Sequence, residues 1–346
     1  MKPAKNLRRV PALRMRRSLL GWVLNGEEGV AVRWPDAAVV CEVGPRDGFQ
    51  METTWIPTDT KVQILNELGR TGLRCIQATS FVHPRAIPQL RDADEVMARI
   101  ERVPGVRYTA LVPNERGVER AIAARIDGVE MVVSVSDSHC LRNTNMTTEQ
   151  AMTRARACAR LARESGIGMG IGFPVALGCP FEGVPPYDRV EGLVAQAVEE
   201  FGFEDVTVAD TVGIANPALV FTTLSRLRRR FPQTAFTLHL HNTRGMGLAN
   251  VLAGLDAGVR RFDGSVAGLG GCPYAPGATG NIATEDLVHM LEEMGVSTEV
   301  NLSDLLRVAR RVEETVGHAD SALLRAGTSR HLLGIRREAQ VKRSAC

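Results

Sequence analysis

From residue 36 onward one pattern keeps returning along the chain. A stretch with apolar residues at helical spacing is followed by a Gly and then by a short β-rich run. Eight such runs occur, at 38–43 (AVVCEV), 73–79 (LRCIQAT), 107–112 (RYTALV), 128–135 (GVEMVVSV), 167–173 (IGMGIGF), 203–208 (FEDVTV), 235–241 (AFTLHLH) and 260–266 (RRFDGSV). Short, largely apolar runs are what strands buried on both faces produce. Gly72, Gly128, Gly166, Gly202 and Gly258 stand just before or at the start of five of them, where a helix ending in a left-handed residue places a Gly. Between the runs, Val62, Leu65 and Leu68, and again Leu193, Val194 and Val198, keep helical spacing. Asn216-Pro217 has the form of an N-cap followed by Pro at the first helical position. Eight strands alternating with helices predict an α/β protein with a closed (β/α)8 TIM barrel, ahead of a doubly wound open sheet.

Helical sequence continues after the eighth unit. Residues 296–340 carry Leu305, Leu306 and Val308, then Leu323, Leu324 and Leu332, which predicts a C-terminal helical extension packed on the barrel. One domain is therefore expected over 36–340, with residues 1–35 outside the repeat as a basic N-terminal extension, wholly or partly disordered. Residues 1–17 hold seven basic side chains and no acidic one. Of the net charge of +3, the remainder of the chain thus carries −4. A mildly acidic body argues against a nucleic-acid partner, and no stretch approaches the roughly 20 apolar residues of a membrane span. Seven scattered cysteines make no disulfide framework and point to a reducing compartment. Four Lys against 38 Arg suggest a GC-rich coding genome, so a bacterial cytoplasm is expected. The alternative is a mitochondrial location, should the Arg-rich, acid-free arm be a transit peptide.

In a barrel, functional groups gather at the C-terminal ends of the strands and in the loops that follow. The unusual polar residues fall there. Arg46-Asp47 follows run one, Gln77 lies near the end of run two, and Asp210 follows run six. His239 and His241 end run seven, and a Gly-rich loop holding Cys272 follows run eight. The spacing His239-x-His241 on a strand turns both imidazoles to one face. Alone, such a pair is more often a set of hydrogen-bonded histidines than a metal site. Its place at a barrel mouth, with Asp47 and Asn281 to supply oxygens, reverses that preference. Two imidazoles, a carboxylate and an amide oxygen, without a thiolate, suit Mg2+ or Mn2+. Arg46 is placed to stabilise a developing oxyanion rather than to form a surface ion pair. The loop at 267–274 fits neither phosphate-binding fingerprint, while Cys41, Cys75 and Cys158 are expected as small apolar fillers.

Together these stretches closely resemble the 3-hydroxy-3-methylglutaryl-CoA (HMG-CoA) lyase family of metal-dependent barrel lyases. The resemblance rests on EVGPRDGFQ (42–50), TSFVHPRAIPQ (79–89), ALGCPFEG (176–183), DTVG (210–213), HLHNTRG (239–245) and SVAGLGGCPYAPGATGNIATEDLVHML (265–291). It spans roughly residues 38–335. It implies metal ligands Asp47, His239, His241 and Asn281, a catalytic Arg46, a loop Cys272, and an acidic Asp210. It also implies substrate contacts from Arg46, Gln50, Thr207, Pro174 and Val175, an acyl-CoA substrate and a homodimer. The implied reaction is retro-Claisen cleavage of a 3-hydroxy-3-alkyl acyl-CoA, with Asp47 or a metal-bound water as base and Cys272 delivering a proton to the enolate. A condensing acyltransferase and a degraded barrel that only binds are the competing readings.

The chain departs from the family's pattern at positions near the site. Gln77 stands where the family has Glu, which removes a negative charge from the metal's surroundings. Phe49 and Met51 replace Leu and Asn, Pro174-Val175 replaces Ser-Cys, and Asn242 replaces an Asp, altering the expected support of the imidazoles. Citramalyl-CoA or a longer-branched glutaryl-CoA is therefore an alternative substrate.

Overall fold

The computed structural model describes residues 34–271 and 280–328. Eight parallel strands close on themselves in chain order, with the first paired to the last. They are β1 (Val39–Glu42), β2 (Cys75–Ser80), β3 (Arg107–Leu111), β4 (Gly128–Val132), β5 (Gly168–Phe173), β6 (Asp205–Asp210), β7 (Ala235–Leu240) and β8 (Arg261–Gly264). Each lies within or beside one of the eight runs, so the barrel expected from the pattern is the one observed. Gly72, Gly166, Gly202 and Gly258 have φ of 95°, 72°, 74° and 89°. At Gly72 a side chain would strike the carbonyl of Glu299, so the turn needs both the left-handed backbone and the missing Cβ. Gly128 is different. It opens β4 at ordinary φ, and a Cβ there would run into the Arg107 side chain inside the barrel.

Period two divides each strand between two environments. Outward positions such as Ile76, Tyr108, Met131, Phe173, Leu238 and Phe262 are at most 2% exposed. They meet the helices across the main apolar core, joined by Leu65 and Leu68 from the helix Thr58–Gly69. Full burial of each such side chain is worth about 1.5–3 kcal/mol. Inward positions are polar: Gln77, Thr109, Glu130, Thr207, Thr237 and Asp263 line a cavity of about 50 Å³ at the barrel's centre. A barrel usually fills this space with branched apolar side chains. Here hydrogen-bonding groups fill it instead.

Asn216 caps the helix Pro217–Arg230, accepting from the Leu219 amide at 3.0 Å. After the eighth unit the helices Thr284–Glu293, Leu302–Val316 and Ala322–Ala326 follow. Leu305, Val308, Leu323 and Leu324 of the expected extension are buried, and Leu306 packs partly buried on the core. Leu332 and the basic extension, apart from Trp34 and Pro35, lie outside the described residues. Cys75 and Cys158 are buried and Cys41 half-buried, and all three are free thiols. Among the described residues no helix is long and apolar enough to cross a membrane.

Candidate active site

The mouth is built from turns that the strands hand directly to one another. After β1 the chain makes a wide turn, Gly44–Gly48, entered through Pro45. The Asp47 amide donates back to the Val43 carbonyl at 2.7 Å, which folds Arg46 and Asp47 inward. Both are buried, at 9% and 7% exposure, so theirs is no surface pair. The Arg46 guanidinium donates to Asp47 Oδ1 through Nη1 and to Gln77 Oε1 through Nε. Gln50, on the short turn Phe49–Met51, donates to Asp47 Oδ1 at 2.9 Å.

Opposite, β7 delivers His239, and His241 follows one residue past its end, bridged to Asn281. Their Nε2 atoms lie 3.3 Å apart, and His239 Nε2 is 3.8 Å from Asp47 Oδ2. Asp47, His239 and His241 can each offer a ligand atom within 4.8 Å of the others. Asn281 donates through Nδ2 to Asp47 Oδ2 at 2.8 Å and to the Leu269 carbonyl at 3.1 Å. His241 Nδ1 and Asn281 Oδ1 are buried without a hydrogen-bond partner. Buried polar atoms are rarely left so, and two of them beside the Asp47, His239 and His241 donor set leave that set open to a ligand.

Electrostatics separate the three groups. Burial pushes the Asp47 carboxyl up, but Arg46, then His239 and His241, outweigh it and bring it down to about 2. Burial would also lower His239, yet Asp263 and Asp47 raise it above the ordinary imidazole value. His241 has no such carboxylate of its own. Burial first, then the neighbouring His239, lower it to about 4. At neutral pH the mouth thus holds an ionised Asp47 and a neutral His241.

The remaining expected residues have other places. Gln77 lies mid-strand on β2 and bridges Arg46 to Glu130, with Nε2 2.7 Å from Glu130 Oε2. The charge that Gln77 lacks is therefore present two strands away. Asp210 ends β6 rather than following it, and its carboxylate is taken up by the amides of Ile214 and Ala215 at 3.0 and 3.1 Å. Thr207 faces the central cavity below the mouth. Pro174 is half-buried and Val175 fully buried after β5, with the Val175 amide donating to Thr211 Oγ1 at 3.0 Å. Val175 also adopts φ of 56°, an uncommon conformation for a β-branched residue. Phe49 is fully buried in the core. Asn242 does not support an imidazole: its Oδ1 accepts from Gly247 at the start of the helix Gly247–Asp256, at 3.0 Å. Cys272 lies outside the described residues.

Three carboxylates went unnoticed in the pattern. Asp263, on β8, accepts from His239 Nδ1 at 3.0 Å and so leaves Nε2 bare toward Asp47 and His241. Glu42 accepts from the amides of Gly44 and Val266 and from Thr284 Oγ1. Glu285 accepts from Ala267 at 3.2 Å, where the chain leaves β8 through two left-handed residues, Ala267 (φ 60°) and Gly268 (φ 66°). Burial raises Glu42 to about 7 and Glu285 to about 8. Part of the signal was available: a charged residue inside an apolar run, as in VVCEV and RFDG, cannot be buried without a partner, although the run does not say which.

A parallel eight-stranded barrel with a carboxylate, two imidazoles and an arginine gathered at its C-terminal mouth defines a barrel enzyme whose mouth carries a donor set of the kind that can hold a metal ion. The chain belongs to the HMGL-like family, which it matches over residues 37–312. It is 44% identical over 284 residues to the hydroxymethylglutaryl-CoA lyase YngG of Bacillus subtilis, covering 82% of this chain and 95% of that protein. The crystal structure of the Bacillus subtilis HMG-CoA lyase superposes with a TM-score of 0.82 at 44% identity, covering 84% of this chain and 98% of that one. An HMG-CoA lyase from Acinetobacter baumannii, in complex with coenzyme A and 3-methylmalate, superposes with a TM-score of 0.81 at 41% identity, covering 85% and 96%.

Proposed function

We propose that the protein cleaves 3-hydroxy-3-methylglutaryl-CoA to acetyl-CoA and acetoacetate. The observation that carries this reading is similarity to a hydroxymethylglutaryl-CoA lyase over 82% of this chain and 95% of that protein, together with the polar mouth that such cleavage requires. In the reaction the 3-hydroxyl loses its proton and the C2–C3 electron pair moves onto C2. C3 becomes the ketone of acetoacetate, and the acetyl-CoA enolate takes up a proton at C2.

Arg46 is buried and oriented by two acceptors, and its remaining N–H groups are available to the thioester oxygen where the enolate charge develops. An Asp47 carboxyl held at about 2 is a weak base, which suits it to holding charge rather than to taking the hydroxyl proton. Cys272 is assigned the delivery of the proton to C2, from the loop that Glu285 and the turn at Ala267–Gly268 anchor at its start.

The donor set fits a divalent metal. Asp47, both histidines and Asn281 present hard and borderline donors, with the Asn281 oxygen unpartnered. Bound there, Mg2+ or Mn2+ would supply Lewis-acid polarisation of the substrate's oxygens. We place the enzyme in the bacterial cytoplasm, acting on an acyl-CoA, on its arginine-rich composition and its similarity to YngG, and take the homodimer from the family resemblance alone.

Incubation with Mg2+ or Mn2+ and a panel of 3-hydroxy-3-alkyl acyl-CoAs tests the reading. Acetoacetate released from the methylglutaryl ester is the expected result. Cleavage of citramalyl-CoA in its place would move the protein to the neighbouring substrate.

A further inference from the structure

Glu130 has no role in the scheme above, yet it is an acidic side chain inside the barrel. It sits at the middle of β4, half-buried toward the central cavity. The facing positions of β5 are Gly170 and Gly172, and a Cβ on Gly172 would come within 2.9 Å of Glu130 Oε1. The β5 glycines thus leave this carboxylate its room. Burial and the nearby Asp263 push the carboxyl up, while Arg46, the Thr207 hydroxyl and His239 pull it down.

Its hydrogen bonds run toward the mouth. Gln77 donates Nε2 to Glu130 Oε2 at 2.7 Å and accepts at Oε1 from Arg46 Nε. A primary amide has one acceptor end and one donor end. With a carboxylate on one side and a guanidinium on the other, only one orientation satisfies both. Glu130 therefore fixes which end of Gln77 meets Arg46, and its charge polarises the amide so that Oε1 holds the guanidinium more strongly. An apolar residue at 130 would leave the amide free to turn its NH2 toward Arg46, where it repels.

We infer that Glu130 is a positioning residue for Arg46, acting through Gln77 as an Arg46–Gln77–Glu130 chain. The assignment rests on the lyase reading for its effect on turnover, since Arg46 matters there as the group facing the enolate. Because Glu130 lies below the mouth, its loss acts on the developing charge more than on acyl-CoA binding.

The test uses the full-length protein with Glu130→Val, the milder Glu130→Gln, and the double variant Gln77→Glu/Glu130→Val, all checked by thermal melting. Glu130→Val is expected to lower kcat by about 10–100-fold, with KM within about twofold. Glu130→Gln should fall between it and the wild type, and carries the test if the valine variant does not fold. The double variant, which places a carboxylate directly against Arg46, should recover most of kcat. Independently of turnover, the 15N-labelled Arg46 Nε–H signal, assigned by its loss in Arg46→Lys, should shift and exchange faster in both single variants. Wild-type kcat in both single variants, a double variant no faster than Glu130→Val, or an unmoved Nε–H signal would each overturn the assignment. A wild type that cleaves no hydroxyacyl-CoA overturns the lyase reading instead, and the Nε–H signal still decides the chain.

Discussion

The two ends of the barrel interior carry similar side chains and treat them oppositely. At the N-terminal end, Asp205 receives Arg107 on one oxygen at 3.3 Å and Arg261 on the other. Its acceptors are used by neighbours that begin β3 and β8. At the C-terminal end, Asp47 receives Arg46, Gln50 and Asn281, yet His241 Nδ1 and Asn281 Oδ1 have no partner and two imidazole nitrogens face each other. The first cluster is complete in itself, whereas the second is a set of groups held short of completion. Charge inside a barrel does not mark a site; a donor set that converges on one point with bonds left open does.

The comparison breaks most sharply under substitution. His241→Ala should abolish tight Mn2+ binding and lower kcat by on the order of 10³-fold while leaving the melting temperature near or above the wild type. Asp205→Asn should do the reverse. It leaves two arginines facing each other and costs about 1–2 kcal/mol, the pair being partly exposed, with turnover of the folded protein nearly unchanged. Calorimetric metal titration and urea melts on both variants read the two effects. A stable, inactive Asp205→Asn protein would erase the distinction between the ends.

Within the mouth, Arg46→Lys separates charge from geometry. A lysine keeps the positive charge but cannot reach Asp47 and Gln77 with one planar fork. The expected loss in kcat is about 10²–10³-fold with Mn2+ affinity retained, because the ligand atoms are untouched. Equal loss of metal binding would mean that Arg46 mainly holds Asp47 in place.

How much of this the chain announced follows from the same contrast. The outward positions of the strands were legible because burial against helices imposes period two and period 3.6 on apolar residues, and all eight strands fell within or beside the runs they produced. Arg46, Asp47, His239, His241 and Asn281 were legible because they sit at or past strand ends in unusual polar words, and Gln77 because it departs from the Glu of the family it resembles; the structure brings all six together. Glu130 and Asp263 were not. Each is a single charged letter inside an apolar run, and only closure of the barrel shows which partner receives it. Asp210 was legible as a carboxylate at a strand end, but not that its oxygens accept from the Ile214 and Ala215 amides.

Beneath the mouth, Glu42 and Glu285 hold the turns that carry Arg46 and lead toward Cys272, and they give the fold a pH dependence. Their folded values, about 7 and about 8, stand above the ordinary 4.5. Between those limits the unfolded chain has shed protons that the folded protein keeps. Stability from these groups is therefore full below about pH 4.5 and falls as pH rises through 7 to 8. Urea melts from pH 5 to 9 should show that decline, and Glu285→Gln should flatten its upper part. An undiminished slope in that variant would place the uptake elsewhere.

The smallest effect concerns Asn242, which stands next to His241 and yet belongs with the completed kind of contact. Its Oδ1 accepts from the first amide of the helix Gly247–Asp256, and the imidazole beside it depends on other groups. Asn242→Asp keeps that acceptor and adds a negative charge at a helix N-terminus, where the macrodipole favours it. A gain of about 0.3–1 kcal/mol is expected, shrinking as salt is added. Metal affinity and kcat should stay within about twofold, because the bond that orients an imidazole here is the one His239 Nδ1 donates to Asp263. A tenfold change in either, with no gain in stability, would show that nearness in sequence to His241 outweighs the hydrogen bond the side chain makes.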